Sequence, residues 1–267
     1  MHQHNMNQLD PAARDFYRQS MAVLEEAGVP FLVGGAYAFE RHTGIARHTK
    51  DFDLFLRPDD VDQALAAFAA AGYRTEVTFP HWLAKAWRDD ELFVDLIYGS
   101  GNGVAAVDEA WFTHAPQVEV LGRPARVCPA EEMVWSKAFI MERERFDGAD
   151  VAHLILACGA RFDWDRLLMR FGPHWRVLLA HLVLFGYIYP SERGCIPDDV
   201  LDELLTRAEF RRAPHHEKVC RGTILSRGQY LTDVEQRGFE DGRVSGHFMS
   251  EEDVERWTAG IAVDGSR

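Results

Sequence analysis

The chain has 267 residues, 47% of them hydrophobic and 27% charged, which is typical of a globular protein with one or two domains. Its 42 acidic residues outnumber its 29 basic ones, and the net charge of −13 argues against broad, non-specific binding to nucleic acid or to an anionic membrane. The four cysteines are widely spaced and the longest apolar run is too short to span a bilayer. We therefore expect a cytoplasmic protein without a disulfide scaffold.

The first hundred residues predict alternating helices and strands. Apolar periodicity and the capping residue Asp10 before Pro11 predict the first helix. The pattern predicts helices over 11–27 and 36–42 and from Pro58 onward. It predicts strands over 31–33, 51–56, 74–79 and 92–98. This order predicts an α/β (α+β) protein in which helices pack on a small mixed sheet.

The pattern changes after Gly99, and residues 131–212 are helical almost throughout. We expect an α/β domain over residues 1–127 and a helical domain over 128–220. The glycine-rich, polar segment 221–267 is predicted to form a C-terminal tail or cap.

Three aspartates interrupt the predicted strands. Asp51 and Asp53 alternate with apolar residues, so they point to one face of their strand, and Asp95 lies within the apolar strand Phe93–Ile97. Carboxylates this close repel one another unless a cation lies between them. Mg²⁺ prefers such oxygen ligands and combines them with substrate phosphates. The three residues therefore predict a site for one or two metal ions, although aspartates on an edge strand can also be merely solvated.

Gly34 and Gly35 lie between a predicted strand and a predicted helix. Glycines at this point let the backbone approach a ligand closely, and the helix N-terminus favours anions. Together, the turn and the aspartates suit a nucleoside triphosphate such as ATP, with its phosphates on the turn and Mg²⁺ on the carboxylates.

The combination of an apolar segment, Gly34-Gly35, a short helix, Asp51-x-Asp53 and the later Asp95 resembles the nucleotidyltransferase superfamily that includes DNA polymerase β. Fifteen residues separate Gly35 from Asp51, a spacing similar to that of the aminoglycoside and lincosamide nucleotidyltransferases and of the toxin-type nucleotidyltransferases of abortive-infection systems. The resemblance implies transfer of a nucleoside monophosphate from an NTP, with two Mg²⁺ ions. Many members have Gly-Ser where this chain has Gly-Gly, which removes a hydroxyl contact to phosphate.

The same resemblance implies roles for individual residues. It assigns Asp51, Asp53 and Asp95 to the metal ions and to catalysis, and it assigns Gly34 and Gly35 to the triphosphate. Lys137 lies on the apolar stripe of a helix predicted to run through Met141, and in the toxin-type branch such a lysine contacts the triphosphate. Lys137 can equally be an ion-paired helix residue. Two further nucleotide-binding candidates, Arg47 and Asp150, can equally be a solvated loop residue and a first-turn helix residue.

The acceptor of the nucleotidyl group divides the hypotheses. The acidic composition favours a small, cationic molecule with a hydroxyl group. A tRNA or protein acceptor, as implied by the toxin-type resemblance, and a nucleotide sensor without activity are the alternatives.

Overall fold

The computed structural model describes residues 9–47, 49, 51–210 and 217–261. The chain forms two compact units, and the division falls between Pro129 and Ala130. The first unit contains a mixed five-stranded sheet with helices, and the second is mostly helical, which confirms the predicted fold class. Among the described residues, no helix combines the length and the apolar character that a membrane span requires.

The first unit begins with alternating helices and strands and continues with three successive strands. In chain order its elements are α1 (Pro11–Glu26), β1 (Leu32–Val33), α2 (Gly35–Thr43), β2 (Asp53–Phe55), α3 (Val61–Ala70), β3 (Arg74–Phe79), β4 (Leu83–Trp87), β5 (Phe93–Ile97), α4 (Glu109–Thr113), β6 (Gln117–Val120) and β7 (Arg123–Arg126). The five-stranded sheet has the order β1-β2-β5-β4-β3. Strands β2 and β5 are parallel and the other neighbours are antiparallel.

One face of this sheet forms the core of the first unit. Phe52, Leu54, Val94 and Leu96 are fully buried, and Tyr17 of α1 stacks on Phe52 with ring centroids 4.7 Å apart. Successive strand residues point to opposite faces. The residues that alternate with this apolar set therefore lie on the other face, and these include the predicted aspartates.

Two strand predictions differ from the structure. Strand β2 begins at Asp53 rather than at Asp51, because the Thr49 hydroxyl accepts the N–H of Asp51 at 3.0 Å in a local turn. Strand β4 was not predicted, because its sequence LAKAW contains two alanines, which are depleted in strands. It forms since β3 and β5 pair with it on both sides.

Helices make up most of the second unit. In chain order its elements are α5 (Ala130–Ala138), α6 (Gly148–Cys158), α7 (Trp164–Phe171), α8 (Trp175–Ile188), α9 (Asp198–Phe210), β8 (Val219–Cys220), α10 (Gly222–Leu225), α11 (Leu231–Glu235), β9 (Glu240–Asp241), α12 (Gly242–Ser245) and α13 (Glu251–Thr258). Helix α5 ends three residues before Met141, so the prediction that the helix runs through Met141 is wrong. Met141 instead donates its N–H to the carbonyl of Leu225 at 3.0 Å.

The segment after residue 217 is tied to the rest of the second unit. Glu142 accepts a hydrogen bond from the Ser226 hydroxyl at 2.5 Å and another from the Arg227 N–H at 2.6 Å. Arg243 is fully buried, and its guanidinium donates to both oxygens of Asp241. The described part of the predicted 221–267 segment therefore contains buried, paired polar groups, while residues 262–267 lie outside the described residues.

Candidate active site

The sheet places two of the predicted aspartates side by side. Asp53 on β2 and Asp95 on β5 are partner positions of the parallel pair, and adjacent strands lie about 4.8 Å apart. Both side chains project from the face opposite the apolar core, because their strand neighbours Phe52, Val94 and Leu96 are buried on the core side. The hydrogen bonds between β2 and β5 continue toward Asp51, since the Asp95 N–H donates to the Phe52 carbonyl at 3.0 Å.

Asp51 lies just before β2 and is exposed. Its negative charge nevertheless acts on the phenol of Tyr17, as do the charges of Asp53 and Asp95. Burial raises the pKa of the Tyr17 phenol to about 12, and the charges of Asp51, Asp53 and Asp95 all add to this increase. The three carboxylates predicted from the sequence therefore occupy one region of the first unit.

The Gly34-Gly35 turn packs directly against this region. The Gly34 N–H donates to the Asp53 carbonyl at 2.9 Å, and α2 begins at Gly35 with Gly34 as its N-cap. Gly35 has a φ of +52°, and a Cβ atom there would overlap Oδ2 of Asp53. A Cβ at Gly34 would overlap the ring of Phe55. A side chain at either position would have to displace Asp53 or Phe55. The start of α2, at which Gly34 supplies no capping side chain, lies beside the Asp53 carboxylate.

Lys85 was not among the predicted site residues, because it lies on the strand that the sequence pattern failed to indicate. It is the partner position of Asp95 across β4 and β5, and its Nζ lies 2.5 Å from Asp95 Oδ1. The two side chains are only 17% and 16% exposed. In the sequence, Lys85 stands between Ala84 and Ala86, which are both buried in the structure. Because strand side chains alternate between faces, Lys85 projects from the opposite, polar face.

The electrostatics of Asp95 reflect burial and two charged neighbours. Burial raises the pKa of Asp95, Lys85 lowers it through its hydrogen bond and charge, and Asp51 raises it again. The net result is a pKa above the usual value for aspartate. Desolvation and the charge of Asp51 together therefore outweigh the ion pair with Lys85.

Lys137 and Asp150, two predicted nucleotide-binding residues, lie together in the second unit. Lys137 Nζ is 2.9 Å from Oδ2 of both Asp147 and Asp150. Burial opposes ionisation of Asp147, but hydrogen bonds and charges from Arg145 and Lys137 outweigh it and lower its pKa. Lys137 is thus an ion-paired helix residue, the alternative that the sequence left open. Its contact with a triphosphate stays a prediction, as does that of Asp150.

Arg47, the remaining predicted nucleotide-binding residue, is exposed in the loop after α2. Its guanidinium lies over the ring of Phe39, 4.3 Å from the ring centroid. This cation–π contact fixes the stem of the side chain on α2. The role of Arg47 toward phosphate also stays a prediction.

The carboxylates suit Mg²⁺ bound together with a nucleotide. Mg²⁺ in nucleotide-dependent enzymes is usually held by one or two carboxylates plus substrate phosphates. Asp53, with Asp51 two residues before it and Asp95 beside it, supplies oxygen ligands of this kind. Across the ranges that the structure describes, no three His, Cys, Asp or Glu side chains are already gathered around one metal position.

Comparison with known protein families identifies the family to which this chain belongs. The sequence model of a family described as "Nucleotidyl transferase of unknown function (DUF2204)" matches residues 13–165, more than half of the chain. The chain belongs to this family. It is therefore a nucleotidyltransferase, and the resemblance indicated by Gly34-Gly35 and Asp51-x-Asp53 is confirmed. No protein with a curated description matches the sequence.

Solved structures similar to this nucleotidyltransferase have low sequence identity. The solution structure of the antibiotic-resistance factor ANT(2'')-Ia has 19% identity and a TM-score of 0.45, covering 65% of this chain and 98% of its own. Lincomycin-bound LnuA, a lincosamide antibiotic adenylyltransferase, has 14% identity and a TM-score of 0.38, covering 53% and 94%. A tRNA-processing enzyme has 13% identity and a TM-score of 0.33, covering 94% and 76%. At these identities the acceptor of this chain does not follow from theirs.

Proposed function

We propose that this nucleotidyltransferase moves a nucleoside monophosphate from an NTP to a hydroxyl group of a small molecule, in a Mg²⁺-dependent reaction. The observation that carries the proposal is the position of Asp53 and Asp95 on one sheet face, beside a Gly-Gly turn at the start of α2. The first turn of α2 offers backbone N–H groups to phosphate, and the aspartates offer oxygens to the cation that accompanies it.

In the proposed reaction, the acceptor oxygen attacks the α-phosphorus of the NTP. The new phosphorus–oxygen bond forms as the bond to the β-phosphate breaks, and pyrophosphate leaves. Gly34 and Gly35 let the phosphates approach the start of α2, Asp51 and Asp53 would hold Mg²⁺, and Asp95 accepts the hydroxyl proton. Bound Mg²⁺ supplies neutralisation of the phosphate charge. The chain contributes positioning and electrostatic stabilisation, without a covalent intermediate.

The charge of the chain supports a small acceptor. With a net charge of −13, extended contact with an RNA backbone would bring like charges together. A small molecule needs no such surface, and a cationic one is attracted by the acidic protein. Transfer to tRNA is the outcome that would contradict this part of the proposal.

The test is transfer of label from α-³²P-labelled NTPs, with Mg²⁺, to a panel of hydroxylated amines and, in parallel, to total tRNA. Asp53→Asn and Asp95→Asn should each lower transfer by about 100-fold or more, because the first removes a ligand of the metal ion and the second removes the group that accepts the hydroxyl proton. Asp59→Asn, an exposed aspartate of the same unit, is the matched control and should keep activity within about twofold.

Binding of a non-hydrolysable, fluorescent NTP tests the same site without any acceptor. We expect binding that requires Mg²⁺ and is weakened by Asp53→Asn. Binding unaffected by EDTA and by Asp53→Asn would contradict the proposed site. Label transferred to tRNA but to no small molecule would contradict the proposed acceptor.

A further inference from the structure

Lys85 is a charged neighbour of the candidate carboxylates. Asp53, Asp95, Lys85 and Glu76 occupy successive partner positions across β2, β5, β4 and β3. The row crosses the sheet on one face, because residues in register point the same way. Within it the ammonium group of Lys85 makes an ion pair with Asp95 at 2.5 Å, next to the position of Asp53.

The ammonium group is held in place by its surroundings. Lys85 Nζ lies 4.0 Å from the centroid of the Phe93 ring and 5.7 Å from that of Trp87. The two rings pack on each other with centroids 4.5 Å apart, and the Arg74 guanidinium covers Trp87 at 4.9 Å. An ammonium group over an aromatic ring is stabilised by the ring quadrupole. Lys85 therefore holds the charge at Asp95 in a defined position.

We propose that Lys85 is a positioning residue that takes the place of a second metal ion, so that the carboxylates of the free enzyme bind a single divalent cation. This inference rests on the proposed function. A second dication at Asp95 would lie close to the ammonium group already on that carboxylate, and the two positive charges would repel each other.

The metal stoichiometry expected from this arrangement is one ion per chain rather than two. The family resemblance implies two Mg²⁺ ions, whereas this arrangement supplies one of the two cations from the chain itself. Asp95 is then oriented by Lys85 toward the acceptor rather than by a metal. Removing the ammonium group should open a second metal position, while removing the Asp95 carboxylate as well should close it again.

The experiment counts Mn²⁺ ions bound per chain, by titration with detection of free Mn²⁺ by electron paramagnetic resonance. We expect one ion for the wild-type enzyme and for Lys85→Arg, which keeps the charge. Lys85→Met should bind two ions, and the double variant Lys85→Met/Asp95→Asn should bind one. Lys218→Met removes another lysine that lies near an aromatic ring, Phe239 at 5.4 Å in the second unit, and should leave the count at one.

Other ion counts would overturn either the role of Lys85 or the proposed metal site. Two ions in the wild-type enzyme, or one ion in a folded Lys85→Met variant, would overturn the role of Lys85 while leaving the proposed function intact. If Lys85→Met fails to fold, a count of two in the wild-type enzyme or in Lys85→Arg still overturns that role, and a count of one in both supports it. No bound Mn²⁺ in the wild-type enzyme, with or without a non-hydrolysable NTP, would overturn the proposed metal site and with it this inference.

Discussion

At the scale of single residues, the candidate site depends on a glycine that leaves room for a carboxylate. Gly35 combines a left-handed backbone with close contact to Asp53. Any side chain there meets two penalties, the backbone strain of a positive φ and the overlap with Oδ2 of Asp53. The absence of a side chain at Gly35 is thus as much a part of the site as the aspartate itself.

Gly35→Ala should therefore impair metal binding beyond any loss of stability. We expect a decrease of about 1–3 kcal/mol in the free energy of unfolding from strain at positive φ. The displaced Asp53 carboxylate should weaken Mn²⁺ binding by about tenfold or more. Denaturant unfolding and Mn²⁺ titration measure the two effects separately.

Gly44→Ala is the matched control for this variant. Gly44 ends α2 at φ +73°, and a Cβ there meets nothing within 4 Å. It should lose about 1 kcal/mol of stability and retain wild-type Mn²⁺ affinity. Equal Mn²⁺ affinities of the two glycine variants would show that the overlap at Gly35 does not control the carboxylate.

At the scale of elements, helices α5 and α7 of the second unit are joined by a buried ion pair. Nη1 of Arg166 lies 2.6 Å from both carboxylate oxygens of Glu132, and Nη2 lies 2.8 Å from Glu131. The Glu132 side chain is completely inaccessible to solvent. Two charges buried in this way depend on each other, because neither can recover its hydration.

Arg166→Met should therefore destabilise the second unit strongly. Among the residues that the structure describes, Arg170 is then the cation that remains on the Glu132 carboxylate, with its Nε 3.4 Å away. We expect a loss of about 3–5 kcal/mol in the free energy of unfolding, measured with urea. The double variant Glu132→Gln/Arg166→Met should recover part of that loss, since the fully buried carboxylate of Glu132 is removed together with its partner while Glu131 still loses its ion-pair partner. A loss in the single variant below about 1 kcal/mol would match an exposed pair instead.

Some helices and strands follow from local sequence patterns, and others do not. Helix α1 and strand β3 lie at or within a residue of their predicted ends because their signals are local: a capping aspartate before proline, and a run rich in β-branched and aromatic residues. Strand β4 has no such signal, since alanine and lysine favour strands only when neighbouring strands pair with them. Lys85 was missed for this reason, and with it the ion pair on Asp95.

At the scale of the whole molecule, buried histidines couple stability to pH. Burial lowers the pKa of both His174 and His181 in the second unit. His181 is 3% exposed, and its Nε2 lies 2.9 Å from the carbonyl of Ala138. The folded chain keeps these rings neutral, whereas the unfolded chain takes up protons below the ordinary pKa of about 6.5. A decrease in pH therefore favours unfolding, because the unfolded chain binds more protons than the folded chain.

The free energy of unfolding of the second unit should thus be greatest above about pH 6.5 and should fall as the pH decreases below that value. His181→Gln keeps a neutral donor for the Ala138 carbonyl but cannot titrate. It should remove up to about 1.4 kcal/mol per pH unit of this dependence. Urea unfolding between pH 4.5 and 8 measures the effect, with the exposed His114→Gln as the control. A pH profile of His181→Gln identical to that of the wild type would contradict the assignment.

The sequence by itself determined the chemistry that this chain carries. Gly34-Gly35, Asp51-x-Asp53 and Asp95 indicated the fold class and the family, because a glycine turn and alternating acidic residues are local patterns that depend only on backbone geometry. Tertiary structure decided which groups face one another. The register of β5 with β2 placed Asp95 beside Asp53, the register with β4 placed Lys85 on Asp95, and packing within the second unit placed Asp147 and Asp150 on Lys137. Pairing between distant strands and helices is set by burial across the whole unit, so it leaves no signal in the spacing of any one segment.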